Sequence, residues 1–239
     1  MDIYKINSIG NLLDGNTYPG RGIIVGKSTD GENAIAAYFI MGRSANSRNR
    51  VFVERDGAVF TEAFDPSKLE DPSLIIYAAL RDYENKLIVT NGDQTDTVYE
   101  GLQAGKNFHS SLTVREFEPD GPNFTPRISA MLEFVNDDFT YSMSILKSAD
   151  AEGTACNRYG FDYPSLAGLG HFLHTYVCDG NPIPTFQGEP ERVALGNNID
   201  EVAEEIWNAL NEDNKISLYV RFVNLKTKEV QNRMLNKNK

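Results

Sequence analysis

The 239-residue chain has few of the residues that mark secreted, metal-binding or membrane proteins. Its two cysteines, Cys156 and Cys178, fit neither a redox pair nor a zinc knuckle, so both are predicted to be structural thiols. The longest apolar run, residues 74–80, is far shorter than the roughly 20 residues that span a bilayer, which argues against a membrane partner. The first residues hold no apolar signal core, and the cytoplasm is therefore the expected location.

Several sequence motifs that are typical of common enzyme classes are also absent. There is no G-x-x-x-x-G-K-[ST] or G-x-G-x-x-G phosphate loop and no G-x-S-x-G elbow, which disfavours kinases, dinucleotide enzymes and serine hydrolases. His171 and His174 are three apart in a predicted strand, which places their rings on opposite faces. Core or hydrogen-bonded histidines are favoured there over the alternative, a metal site.

Positive charge is scarce, because the chain has 23 Lys and Arg but 34 Asp and Glu, which gives a net charge of -11. Such a surface repels phosphate backbones, so no nucleic-acid partner is expected. Residues 41–53 are the exception, since they hold three arginines and no acid. Arg43, Arg48 and Arg50 alternate with small polar residues, which suits a phosphate or carboxylate of a small molecule. A solvated loop whose arginines pair with surface acids is the alternative.

Apolar and β-branched patterns predict mainly strands, in a single domain covering 1–239 whose basic tail is frayed from about residue 226. The near-continuous apolarity of residues 74–80 indicates a central strand covered on both faces. The order of elements favours an α+β class over a doubly wound parallel sheet. Strands are predicted at 22–27, 34–41, 51–53, 58–64, 73–81, 86–90, 127–134, 139–147, 171–178 and 216–223, helices at 93–104, 106–116 and 199–210, and loops at 148–170 and 179–190.

The segment 87–105 predicts a strand, a tight turn and then a helix. Free backbone N–H groups near Gly92 could bind an anion at the start of that helix. Asp96 and Glu100 lie one helical turn apart, so they repel and raise the proton affinity of one carboxylate, unless an arginine neutralises them. Arg43 or Arg127 is the expected arginine. A solvated acidic helix face is the alternative.

A series of spaced motifs occurs in one order along the chain: YPGRGIIVGK at 18–27, AAY at 36–38, GRS at 42–44, RNR at 48–50, IY at 76–77, TNGD at 90–93, TD at 95–96, Glu100 and TPRI at 125–128. In these motifs the chain resembles the archaeal-type IMP cyclohydrolase family. The likeness covers about the first 135 residues well and the remainder weakly.

The resemblance implies an N-terminal-nucleophile-hydrolase-like fold, a four-layer αββα sandwich of two stacked, mainly antiparallel sheets with helices outside. It implies ring closure of 5-formamidoimidazole-4-carboxamide ribonucleotide to IMP with loss of water, in purine biosynthesis. It implies that the chain binds a purine nucleotide, needs no organic cofactor and no metal, and forms a homo-oligomer. An amidohydrolase of this fold is the less favoured alternative, because those enzymes need Ser, Thr or Cys as first residue and this sequence starts with Met1.

The resemblance also implies roles for particular residues. Arg43 and Tyr77 would contact the reacting amide and formyl groups, and Glu100 would accept or orient a proton. The implied substrate-binding residues are Ser44, Arg50, Asn91, Gly92, Asp96 and Arg127, with Ser44 and Arg50 suited to the 5′-phosphate. The segment SANSRN departs from the more compact one expected in the family, which leaves open a nucleotide-binding protein that has lost the reaction.

Overall fold

Two antiparallel sheets form the centre of the computed structural model, which describes residues 2, 4–69, 72 and 75–239. Sheet A has six strands in the order β11-β10-β1-β2-β12-β13. Its strands are β1 (Arg21–Lys27), β2 (Asn33–Met41), β10 (Leu169–His174), β11 (Glu191–Ala194), β12 (Lys215–Asn224) and β13 (Val230–Asn236).

Sheet B has seven strands, which follow one another in chain order from β3 to β9. They are β3 (Arg50–Arg55), β4 (Ala58–Ala63), β5 (Tyr77–Tyr83), β6 (Lys86–Thr90), β7 (Arg127–Val135), β8 (Asp138–Ser148) and β9 (Cys156–Pro164). The helices are α1 (Ile9–Leu13), α2 (Ala45–Arg48), α3 (Gln94–Gln103), α4 (Phe108–Ser111) and α5 (Ile199–Ala209), with 3-10 turns at Pro66–Lys68 and Leu112–Val114. In the described part of the chain no helix is both long and apolar enough to cross a membrane.

Three buried apolar clusters define the layers. The first lies between the sheets and joins residues such as Tyr38 of β2 to residues such as Tyr77 of β5. The second packs α1 and α5 on the outer face of sheet A, and the third packs α3 and α4 on the outer face of sheet B through Ile88 and Met131. The predicted α+β sandwich of two antiparallel sheets with helices outside is confirmed.

Local chemistry explains why the first hairpins were predictable. The β3–β4 turn has positive φ at both central residues, 51° at Asp56 and 78° at Gly57, which is the backbone of a type I′ hairpin turn. Asp-Gly favours that turn, because glycine adopts positive φ without a steric cost. β5 is the third strand of sheet B and is buried from Tyr77 to Leu80, as expected of a central strand. Residues 73 and 74 of the predicted strand lie outside the described residues.

Four predictions about elements were wrong. The loop predicted over 148–170 contains β9, in which Tyr159, Phe161 and Tyr163 alternate with Arg158, Gly160 and Asp162 as in a strand with one apolar face, although most of its side chains are exposed. The basic tail from about 226 is not frayed but forms β13, paired with β12 from Ser217↔Asn236 to Val223↔Val230. The helix predicted over 106–116 shortens to α4 and a 3-10 turn. The alternation of apolar and polar residues over 216–223 predicts a strand with one buried face, but both faces of β12 are buried.

The two histidines face opposite sides of sheet A, as their strand spacing predicts. His171 points between the sheets, where its Nδ1 lies 2.6 Å from the Tyr141 hydroxyl and its ring stacks at 3.7 Å on Tyr163. His174 points the other way, with its ring 4.6 Å from that of Phe172. Both are buried core residues in hydrogen bonds.

Burial of His171 makes the stability of the fold depend on pH. Burial lowers the pKa of His171 from 6.5 to about 4, and the nearby Arg192 charge adds to the effect. Between these values the unfolded chain binds a proton that the folded chain does not, so stability is lost as pH falls from about 6.5 towards 4. We expect His171 to contribute roughly 2 to 3 kcal/mol of that loss. Urea unfolding at several pH values should show a flatter acid limb for His171→Phe, and an unchanged slope would contradict this assignment.

Candidate functional site

A pocket of about 230 Å³ opens at one end of the sandwich. Antiparallel pairing brings the start of β1, β3 and β7 and the end of β2 and β10 to that end, so segments distant in sequence meet there. The lining residues are mostly polar or aromatic and are Tyr18, Arg21, Arg43, Ser44, Ser47, Arg50, Asp120, Asn123, Thr125, Tyr176 and Ile183.

The rim of the pocket carries half-exposed groups. Arg43 forms an ion pair with Asp179, donates from Nη1 to the Gly180 carbonyl at 2.9 Å, and lies 5.1 Å from the centre of the Tyr18 ring. Ser44 caps α2, because its Oγ accepts from the Ser47 N–H at 3.1 Å. The Arg43 guanidinium can exchange its carboxylate partner for an anionic ligand, since both members of the pair reach solvent.

The deep end of the pocket holds two buried arginines. Arg50 is 2% exposed; its Nε donates to the Ser47 carbonyl at 2.8 Å, and its Nη1 has no hydrogen-bond partner among the residues that the structure describes. Arg21 is 8% exposed and lies 3.5 Å from the Glu118 carboxylate, while its Nε is likewise unpartnered within the described chain. Buried N–H donors without partners are costly, so this arrangement indicates a ligand that supplies the acceptors.

The charges of these buried groups affect one another. Burial, with the Arg21 charge added to it, lowers the pKa of the Arg50 guanidinium. Burial also acts to lower the pKa of Arg21, but the attraction of Glu118 and of the surrounding phenols raises it well above its usual value. Burial raises the pKa of the Glu118 carboxyl against the attraction of Arg21. The deep end thus holds two guanidinium groups and one buried carboxylate.

A pair of phenols lies beside the two arginines. The hydroxyls of Tyr77 and Tyr38 are 2.8 Å apart, and both side chains are almost fully buried. Burial raises the pKa of Tyr77, while the charges of Arg21 and Arg50 act against the rise. Burial raises the pKa of Tyr38 as well. Both phenols are therefore protonated at neutral pH and can donate a hydrogen bond or a proton.

Asn91 and Gly92 directly follow β6, and hydrogen bonds join Asn91 to the start of β7. The Asn91 side chain donates to the Pro126 carbonyl at 2.9 Å and accepts from the Ile128 N–H at 2.8 Å and from the Gln94 side chain at 2.9 Å, so its hydrogen bonds hold neighbouring parts of the chain together. A Cβ on Gly92 would come within 2.7 Å of Arg127 Nη1, which explains why this position is glycine. These residues fix the loop beside the pocket rather than line it.

Arg127 belongs to an ionic group at the start of α3. Its Nη1 donates to Asp93 at 2.6 Å and to Gln94 at 2.8 Å, and Arg115 forms a second ion pair with Asp93. Of the N–H groups predicted to bind an anion near Gly92, that of Thr95 already donates to the Gly92 carbonyl and that of Gly92 to the Thr90 hydroxyl. Arg127 still affects the site, since its charge lowers the pKa of Glu118.

Asp96 and Glu100 do not join the pocket of their own chain. Asp96 forms an ion pair with Arg81 at 2.8 Å, not with the expected Arg43 or Arg127, and Glu100 is exposed. Both lie on α3, which packs on the outer face of sheet B, whereas Tyr77 faces sheet A. The structure therefore brings Arg43, Ser44, Arg50 and Tyr77 together and separates them from Asp96 and Glu100.

Sequence reasoning did not single out two of the most buried charged groups in the site. Arg21 lies in the motif at 18–27, and its position at the start of the largely apolar strand RGIIVGK is a signal that could have indicated a buried arginine. Glu118 lies in an irregular segment before β7 that has no periodicity from which burial could be inferred.

A comparison with models of known families matches most of the chain. Residues 18–228 match the family model described as IMP cyclohydrolase-like protein. The chain belongs to this family. The match extends through the second half of the chain, where the sequence motifs showed only a weak likeness.

Curated relatives of this IMP cyclohydrolase-like chain carry the name IMP cyclohydrolase. The protein of Methanopyrus kandleri is 32% identical over 188 residues, covering 71% of this chain and 89% of that protein. That of Methanocaldococcus jannaschii is 31% identical over 118 residues, covering 48% and 57%. That of Methanococcus aeolicus is 27% identical over 165 residues, covering 67% and 75%.

Proposed function

We propose that this chain is an IMP cyclohydrolase that closes the purine ring of 5-formamidoimidazole-4-carboxamide ribonucleotide, with loss of water, to give IMP. The observation that carries the proposal is the pair of buried guanidinium groups, Arg21 and Arg50, whose unpartnered N–H donors lie at the deep end of a pocket. Membership of the family and the names of the relatives support it. We further propose a cytoplasmic homo-oligomer acting in purine biosynthesis, without a metal or organic cofactor.

The reaction needs charge stabilisation and proton transfer. The carboxamide nitrogen bonds to the formyl carbon and loses one proton, the formamido nitrogen loses a second, and the formyl oxygen leaves with both as water. Negative charge develops on the formyl oxygen as the new bond forms. Arg21 and Arg50 stabilise this charge from a water-poor site, where fixed donors are most effective.

Two further groups at the deep end complete the proposed chemistry. Tyr77, protonated at neutral pH, donates one proton to the departing oxygen and regains one from the formamido nitrogen. Glu118 balances the Arg21 charge, accepts the proton of the carboxamide nitrogen, since burial raises its basicity, and passes that proton to the same oxygen, which leaves as water. The substrate already contains both reacting groups, so holding them in contact supplies a large part of the acceleration.

The rest of the pocket suits the ribose phosphate. Arg43, Ser44 and Ser47 offer a guanidinium and two hydroxyls at the rim, where a 5′-phosphate would replace Asp179 as the partner of Arg43. Asp120 and Asn123 on the opposite segment are suited to the ribose hydroxyls. Asn91, Gly92 and Arg127 hold the adjoining loop in place, and we assign them supporting roles.

A direct assay tests the proposal. Purified protein mixed with the formylated ribonucleotide should produce the ultraviolet change of hypoxanthine formation, and chromatography should identify IMP. IMP that raises the melting temperature without any turnover would contradict the enzyme assignment and favour a nucleotide-binding protein that has lost the reaction.

A matched pair of glutamate variants tests the assignment of the two carboxylates. We expect Glu118→Gln to lower kcat/KM by at least about 100-fold, because it removes a proton acceptor and leaves Arg21 without its counter-charge. The same change should lower the free energy of unfolding by about 3 kcal/mol, since it leaves a buried charge unpaired. Glu100→Gln, on the exposed face of α3, should change neither kcat/KM nor urea stability. A large loss of activity in Glu100→Gln, with normal activity in Glu118→Gln, would mean that Glu100 and not Glu118 takes part in the reaction.

A further inference from the structure

The outer edge of sheet B is open along β9. This strand has nine residues, pairs with β8 on one side, and has no strand or backbone partner on its other side among the residues described. Most of its side chains are exposed. An edge strand of this length presents a row of free N–H and C=O groups that can template another strand.

Two other sheet edges are covered by the chain's own segments. At β3, the Asn236 side chain accepts from the Phe52 N–H at 2.8 Å and donates to its carbonyl at 3.0 Å, as a neighbouring strand would. At β11, Asn7 forms a parallel bridge with Val193. The edge of β9 thus lacks the protection that these edges receive.

The residues of β9 are self-complementary about Gly160. Arg158 precedes this glycine by two positions and Asp162 follows it by two, and Tyr159 and Phe161 flank it directly. In an antiparallel pair of two identical strands centred on Gly160, Arg158 lies opposite the partner's Asp162 and Tyr159 lies opposite the partner's Phe161. Cross-strand pairs of opposite charge and of aromatic rings stabilise antiparallel ladders. The two-fold axis makes each of these contacts twice.

We propose that β9 is the contact surface for a second copy of this chain, which joins the two seven-stranded sheets edge to edge. The side chains of Arg158 and Asp162 are 38% and 70% exposed, so both reach solvent. Each also has a partner in its own chain, since Arg158 donates to the Arg115 carbonyl at 2.7 Å and Asp162 lies 3.0 Å from His109 Nε2. The cross-strand pair would form in addition to these contacts or in exchange for them. A groove of about 390 Å³ runs beside the strand and is lined by His109, Leu112 and residues of β9. Side chains of the second copy have room to enter it.

The surface is distinct from the candidate functional site. β9 contributes no side chain to the lining of the 230 Å³ pocket. Charge reversals on β9 are therefore expected to act on assembly and to leave the pocket intact. The inference rests on the homo-oligomer of the proposed function and names its contact surface. It does not depend on the reaction, so a wild type without cyclohydrolase activity would leave the assembly untouched, and a monomeric wild type would leave the cyclohydrolase assignment untouched.

A charge-swap experiment on the full-length chain tests the register. Analytical ultracentrifugation at micromolar concentration should give a wild-type mass of twice the 26.7 kDa of the chain, or a multiple that contains this pair. Arg158→Glu and Asp162→Arg should each place like charges opposite one another in two places, halve the mass of the assembly, and raise the dissociation constant at least about 100-fold. The double variant Arg158→Glu/Asp162→Arg should restore the wild-type mass.

Controls separate assembly from misfolding. Arg55→Glu reverses a charge on β3, at the other edge of the same sheet, and should leave the mass unchanged. Two substitutions that each merely prevent folding would not restore the wild-type mass when combined. Recovery of the mass in the double variant would therefore show that the two charges meet across the interface. A monomeric wild type would overturn the proposal, as would single variants of wild-type mass or a double variant that stays at half the mass.

Discussion

Replacing Arg50 with methionine should slow turnover by about 10² to 10³ and at the same time make the protein more stable. Arg50 is buried and forms no ion pair within the described residues, and burial, with the Arg21 charge added to it, lowers the pKa of its guanidinium. A buried charge without a counter-ion costs stability, and an apolar side chain of similar length removes that cost. We expect the free energy of unfolding to rise by about 1 to 2 kcal/mol, even though the bond from Nε to the Ser47 carbonyl is lost.

The catalytic loss should be large because the proposed role of Arg50 lies in the transition state. Removing one donor that faces a developing oxyanion typically costs about 10² to 10³ in kcat. Enzyme kinetics and urea denaturation on the same preparation check both parts. Arg55→Met is the matched control on the same strand, since that guanidinium is exposed and paired with Glu62. An Arg50→Met protein with near-wild-type kcat/KM, or one that is strongly destabilised, would contradict the assignment.

This combination of effects follows from how active sites use unfavourable electrostatics. A preorganised site keeps its donors unsatisfied until the substrate arrives, and the rest of the fold stabilises the arrangement. Here the inter-sheet core around Tyr38 and Tyr77 fixes Arg21 and Arg50 from behind. An anionic ligand should therefore stabilise the wild type more than it stabilises Arg50→Met.

Much of the fold was predictable because its local signals agree with its packing. The Asp56–Gly57 turn specifies a hairpin, the apolar stripe of α5 specifies a helix with one buried face, and the apolar run that continues into β5 specifies a strand buried on both faces. Where the signal failed, polar residues face the interior. In β12, Arg221 and Tyr219 alternate with apolar residues as if exposed, but Arg221 is buried, donates to Asp82 at 3.0 Å and is 2.9 Å from the Tyr219 hydroxyl.

The site was harder to predict than the fold. Spacing places Asp96 and Glu100 on one helix face, but it cannot show that the helix covers the outer side of sheet B. Motif likeness indicated Arg43, Ser44, Arg50 and Tyr77, which the structure gathers at one end of the sandwich. The place of Glu118 in the site follows from its long-range contact with Arg21, and no local sequence pattern indicates such a contact.

The second large effect is expected for Tyr77→Phe, which removes one oxygen atom from the core. The proposed role of this phenol is proton donation to the departing oxygen, so kcat should fall by about 10² to 10³ while KM changes little. Burial raises the pKa of Tyr77 above 10.0, and the phenol is needed in its acid form. Tyr77 should therefore impose no loss of wild-type activity at neutral or mildly alkaline pH, and any alkaline limit it sets lies above that of an ordinary tyrosine.

Tyr38→Phe is the informative companion, because it deletes the same 2.8 Å hydrogen bond from its other end. Each variant should lose about 1 kcal/mol of unfolding free energy, since each leaves one buried hydroxyl without its partner. Only Tyr77→Phe removes the proposed proton donor, so kcat should fall far less in Tyr38→Phe. Steady-state kinetics and urea unfolding of both proteins decide the matter. Equal losses of kcat would mean that the bond between the two phenols, which orients the neighbouring guanidinium groups, is what the reaction requires.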